Sequence, residues 1–168
     1  MFTPEQAQGL ATFLLKSIEG EFNTTKRVLA AVPEDRLDFK LGEKGRTAHE
    51  LMWHIVGSEL WFGDGIVKAQ FLFEGDPPAP ATRQDILDRF EEVHGWIAKV
   101  RAMSAEDLAK PVDFFGIMTM PNVTYLHFWL NHTIHHRGQL SAYVRAMNAH
   151  VPSIYGPSAD EGMGAASA

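Results

Sequence analysis

NVTYLHFWLNHTIHHRGQLSAYVRAMN, residues 122–148, is the stretch from which the fold can be read. Tyr125, Trp129, His132, His136, Leu140, Tyr143 and Met147 recur at intervals of three and four, the period of one face of an α-helix. Pro121-Asn122 opens the segment, and Asn148 suits the left-handed residue that often follows a last turn.

Three more segments carry the same period behind recognisable start signals. Thr3-Pro4-Glu5-Gln6 pairs a capping threonine with a proline suited to the first helical position, and Gln6 completes a capping box. Leu10, Phe13, Leu14, Ile18, Phe22 and Leu29 follow, so the spacing predicts a helix to about Ala31. Thr47-Ala48-His49-Glu50 is a second capping box, followed by Leu51, His54, Ile55, Ser58, Phe62 and Ile66, a helix expected to end near Phe73. A third begins around Thr82, carries Ile86, Phe90, Val93, Ile97 and Val100, and is expected to stop near Met103. The segments between them, Val32–Arg46, Glu74–Ala81 and Ala105–Met120, are rich in turn formers. Nothing alternates well enough for a sheet, although Val112–Met120 suits a short extended piece. Four amphipathic helices point to an all-α four-helix bundle with long connecting loops. One domain over 1–168 is expected, its tail after about 157 poorly ordered at its end.

Composition bounds the chemistry. The chain has 168 residues and a net charge of −6, with eight histidines and no cysteine. That length buries a core without staples. Without cysteine there are no disulfide scaffolds, thiolate nucleophiles, iron–sulfur clusters or cysteine-ligated zinc sites, so any metal is held by nitrogen and oxygen. The acidic balance speaks against nucleic acid as a partner. No run of apolar residues is long enough to span a membrane, and the N-terminus lacks the pattern of a secretory signal, so a cytoplasmic location is expected.

Among the histidines, His132 and His136 stand four apart, which puts their Cβ atoms about 5–6 Å apart on one helix face. Two imidazoles so placed can share a metal at about 2.0–2.1 Å. The alternative is one imidazole bonded across the bundle and the other at a solvent rim. His54 interrupts the second stripe where leucine would be expected, and a third nitrogen from that helix would complete a three-histidine site with open coordination positions. His135 reads as surface or as a support for a ligand, His49 as a cap or solvated group, and His94 as a boundary residue. His127 and His150 carry no pattern. Thr133-Ile134-His135 leave no glutamate between the paired histidines, which excludes a His-Glu-x-x-His protease. Glu91-Glu92-Val93-His94 is a single Glu-x-x-His unit where a di-iron bundle needs two.

Two segments, Glu50-Leu51-Met52-Trp53-His54-Ile55-Val56-Gly57-Ser58-Glu59 and Asn131-His132-Thr133-Ile134-His135-His136-Arg137-Gly138-Gln139-Leu140, resemble the DinB/YfiT-like superfamily of bacterial metal-binding bundles. Val32-Pro33-Glu34-Asp35-Arg36-Leu37 and Val151-Pro152-Ser153-Ile154-Tyr155-Gly156 look like connections of the same family. The resemblance covers nearly the whole chain. It implies a divalent metal, commonly zinc or nickel, on His54, His132 and His136, and a homodimer. It also implies chemistry on a small-molecule substrate, since characterised relatives include S-transferases that use low-molecular-weight thiols such as bacillithiol or mycothiol, and a mycothiol-dependent maleylpyruvate isomerase.

The expectation is therefore a metal-dependent hydrolase or thiol transferase, whose thiol must arrive as a cosubstrate. Its rival is a non-catalytic metal-binding stress or interaction bundle with a vestigial site. Trp53, Trp129, Phe62 and Tyr125 are expected to shape the cavity, with Glu59 and Asn131 as candidate supports for the ligands. Arg137 is expected to be an exposed or ion-paired residue, or else to attract an anionic substrate group.

Overall fold

The computed structural model describes residues 2–72 and 77–162. Helix α1, Pro4–Ala30, starts at the expected capping box, with Thr3 Oγ1 accepting the Gln6 amide and Gln6 Oε1 accepting the Thr3 amide. Helix α2, Ala48–Lys68, starts on the Thr47–Glu50 box in the same way. It ends earlier than its apolar pattern suggests. Ala69 adopts a left-handed conformation, the Gln70 amide bonds the Gly65 carbonyl, and Phe71 folds back onto the helix. Gly65 makes this possible, because a Cβ there would meet the Phe71 ring at 2.4 Å. The expected end at Phe73 lies outside the described residues.

The third expected helix is two, α3 (Arg83–Glu91) and α4 (Val93–Arg101). The ladder tightens to three-residue bonds at the junction, Glu92 to Arg89 and Gly95 to Glu92, beside a glycine that weakens helix. Ile86, Phe90, Val93, Ile97 and Val100 still face inward, so the pair acts as one arm of the bundle. The connection that follows holds more structure than its sequence suggests. It contains a short helix α5, Ala105–Ala109, and an antiparallel hairpin of β1 (Pro111–Phe114) and β2 (Met118–Pro121), with Val112 opposite Met120. The extended piece is thus a small sheet, which corrects the expectation of none. Its strands are too short to show an alternation, and the turn sets them. Phe115 and Gly116 both have positive φ, and Asp113 Oδ2 accepts the Gly116 amide.

Helix α6, Thr124–Ala146, matches the opening stretch, and Asn148 takes the expected positive φ of 56°. Helices α1 and α2 both pack on α6, and α4 closes the bundle against α2. The enclosed core between them is mainly apolar, with Trp129, Tyr125, Phe90, Leu51 and Ile55 among its larger members, and it also takes in Glu59, Thr133 and Arg137. Among the described residues no helix is long and apolar enough to cross a membrane.

Candidate metal centre

Where α2 runs beside α6, His54 meets His132 and His136. The Nε2 atom of His54 lies 3.2 Å from His132 Nε2 and 3.3 Å from His136 Nε2. One ligand nitrogen from each of the three lies within 4.8 Å of the others. Tetrahedral bonds of about 2.0–2.1 Å would set neighbouring nitrogens about 3.3 Å apart, the separation seen on two edges of this triangle. Protons alone satisfy the arrangement poorly. Each imidazole nitrogen has one in-plane position, either a proton or a lone pair, so His54 Nε2 cannot form a separate linear hydrogen bond to each neighbour. Three lone pairs converging on one ion have no such conflict.

The electrostatics keep those lone pairs available. Burial, reinforced by His136, His54, His135 and Arg46, pushes the His132 pKa down to about 3. Burial also lowers that of His136, against the opposing hydrogen bond to Gln139. The amide oxygen of Gln139 lies 3.0 Å from His136 Nδ1 and can only accept, so the proton sits on Nδ1 and Nε2 is left as the ligand atom. The buried Nδ1 of His132 has no hydrogen-bond partner among the described residues. All three histidines are half-buried. The buried face of α6 runs through Leu126, Trp129, Thr133, Arg137, Leu140 and Val144, with His132 and His136 along its edge. The centre is therefore at the rim of the bundle, open on one side, rather than inside the apolar stripe.

A family model described as the DinB family matches residues 1–164. The chain belongs to the DinB family. Among DinB-like structures it resembles one from Bacillus cereus ATCC 10987, with a TM-score of 0.72 and 28% identity over 84% of this chain and 95% of that one. A second, YjoA of Bacillus subtilis, has a TM-score of 0.66 at 21% identity, with 84% and 96% covered, and supports the fold alone. The uncharacterized protein YrdA of Bacillus subtilis strain 168 is 29% identical over 154 residues, 88% of this chain and 89% of that protein.

Around this triad, the other expected residues separate. Phe62 presents its ring to His132 edge-on at 5.8 Å, and Trp53 stands beside His54 in the chain. Trp129 and Tyr125 are core residues instead. Both are fully buried, with the Trp129 indole N–H donating to Glu59 and the Tyr125 hydroxyl to the Val112 carbonyl. Glu59 accepts from Trp129 and Thr133. Asn131 is exposed and donates to His127. Arg137 is not an exposed residue and does not face the triad. It is buried, pairs with Glu21, donates to Thr25 and to the Tyr155 hydroxyl, and leaves its Nε without a partner among the described residues. His135 is exposed, with its ring beside that of His136. His49 donates from Nε2 to the Pro80 carbonyl, His94 lies against Phe22, and His150 pairs with Glu161. Sequence reading missed Gln139 and Arg46. Gln139 carries a signal, since position i+3 from a helical histidine lies within reach of its ring. Arg46 sits in a loop with no periodicity to betray it.

Proposed function

We propose that His54, His132 and His136 bind one divalent ion, zinc or nickel, and that the protein is a metal-dependent enzyme acting on a small molecule as a hydrolase or low-molecular-weight-thiol transferase. The convergence of three Nε2 atoms on one point at the bundle rim carries this reading. When bound, such an ion lowers the pKa of a coordinated water or thiol and so generates a nucleophile at neutral pH. The chain's own part is to hold three neutral imidazoles from two helices, to fix the His136 tautomer through Gln139, and to leave the solvent side open for substrate. With no cysteine, it supplies no thiol of its own. Homodimer assembly belongs to this reading on family resemblance alone, and a cytoplasmic location is proposed with it from the sequence.

The test is metal binding followed by chemistry. Titration calorimetry with Zn2+ and Ni2+ is expected to give one site per chain. His54→Ala, His132→Ala and His136→Ala should each weaken it by more than the about 10–100-fold typical of losing an outer partner. Absence of binding in the intact chain, with H132A and H136A indifferent to added metal, would sink the metal reading. Thiol conjugation of electrophiles and ester hydrolysis across a panel then test catalysis. One observation favours a second reading, an interaction bundle: the hairpin tip exposes Phe115, Ile117 and Met118. Metal binding with no turnover across the panel would favour it.

A further inference from the structure

Beside the triad a pocket of about 310 Å³ opens among Lys44, Gly45, Arg46, Glu50, Trp53 and Ala79. Its walls are held by specific bonds. The Trp53 indole N–H donates to the Pro77 carbonyl at 2.7 Å, and His49 holds Pro80, so the loop bearing Ala79 is tied down over α2. On the opposite side the Tyr143 hydroxyl donates to the Arg46 carbonyl at 3.0 Å. The Ala48 amide bonds Phe39, and Lys40 and Thr47 form a bridge. Gly45 has no room for a side chain, since a Cβ there would lie 2.9 Å from the Tyr143 hydroxyl oxygen. Arg46 is thus carried on a stretch of backbone fixed to α6 about two turns beyond His136. Glu50, which lines the same pocket, stands four positions before His54 on α2 and so one turn away on the same face, which sets the pocket next to the triad.

The charges at this rim are unevenly matched. The Glu50 carboxylate is committed to the Thr47 amide at 2.6 Å, and feels both Lys40 and Arg46. Arg46 and Lys44 are exposed, and neither forms an ion pair among the described residues. Two cations and one carboxylate leave the pocket with a single net positive charge beside the apolar face of Trp53. That suits a monoanion with an apolar spacer better than a dianion.

Building on the metal reading above, we propose that this pocket is the substrate-recognition half of the centre: Arg46, assisted by Lys44, holds the carboxylate of a small anionic molecule whose donor atom reaches the ion. A planar guanidinium grips a carboxylate through two parallel hydrogen bonds, which a lysine cannot reproduce. Arg46 is accordingly a specificity-determining residue and no ligand.

The test uses cobalt-loaded full-length protein titrated with 4-mercaptobutyrate and with 4-mercapto-1-butanol, followed by the thiolate-to-cobalt absorption band. The three-methylene spacer keeps the carboxylate from closing a small chelate ring on the ion. The intact protein is expected to favour the butyrate over the butanol. R46A should cut that ratio by about tenfold, R46K should retain part of it and K44A should lower it less, while cobalt affinity in R46A is no weaker than in the intact chain. A ratio unchanged in R46A, or no preference in the intact protein, overturns the assignment of Arg46 while leaving the metal site standing. Failure of cobalt to bind overturns the metal reading, and with it this one.

Discussion

Glu59 shows what a single buried side chain does to the pH response of this protein. Its carboxylate is enclosed between α2 and α6, accepting the Trp129 indole N–H on Oε2 and the Thr133 hydroxyl on Oε1, each at 2.9 Å. Burial pushes its pKa from 4.5 up to about 7, although both hydrogen bonds and Arg137 pull it back. The folded chain therefore holds a proton that the unfolded chain releases, and Glu59 lowers stability as pH rises from about 4.5 through about 7. His132 acts in the opposite sense, costing stability as pH falls below 6.5 towards 3. Substituting E59Q removes only the first effect. Thr133 already has the Trp129 carbonyl at 3.1 Å, so its hydroxyl can donate there and accept from the new amide. Urea denaturation should find E59Q more stable than the parent at pH 8, by up to about 3 kcal/mol, with the gain vanishing near pH 4. An equal difference at both pH values would mean that Glu59 is not titrating as described.

Helix α2 approaches α4 so closely that one methyl group decides the contact. A Cβ on Gly63 would lie 2.5 Å from Trp96 Cβ and 2.7 Å from its Cγ, atoms too near the backbone to swing aside. Gly20 in α1 has nothing within 4 Å of the same position. Gly63→Ala should therefore lose about 1–3 kcal/mol by overpacking, whereas Gly20→Ala should gain about 0.5–1 kcal/mol from helix propensity alone, both read from thermal or chemical melts. The same packing explains what the sequence revealed. Helix starts at Thr3 and Thr47 were legible because capping boxes are local chemistry. The triad was legible because i,i+4 spacing and a polar intrusion at His54 are visible without any tertiary information. The true axis of burial in α6 was not. That helix is covered by α1 on one side and α2 on the other, which draws Thr133 and Arg137 inside and shifts the histidines to the edge. Nor could periodicity find the end of α2, which depends on Phe71 fitting over Gly65, or Arg46, which acts from a loop.

At the scale of the whole molecule, the segment after α6 behaves as part of the body. Asp160 accepts the Val151 amide and pairs with Arg145, while Glu161 accepts the Ser153 amide and pairs with Arg27. Ser158 donates to the Val151 carbonyl. Order thus extends past 157 through these residues, and the tail end expected to be loose, 163–168, lies outside the described residues. Removing 157–168 should strip the Ser153 amide of its acceptor and lower stability by about 1–2 kcal/mol, a fall in Tm of about 2–8 °C by calorimetry. The Glu161 share of that loss has a defined pH range. The Ser153 amide, His150 and Arg27 hold its pKa at about 2, so its contribution is full above about pH 4.5 and fades towards pH 2. One further consequence comes from where the triad's members sit along the chain. His54 and His132 are 78 positions apart, so an ion shared between α2 and α6 is a removable cross-link closing a long loop. A covalent link of that span restricts the unfolded chain by about 4–5 kcal/mol, whereas the stabilisation from a bound ion would grow with its free concentration relative to its Kd. In a chain without cysteine, a chelator would then do what a reductant does to a disulfide-stapled protein.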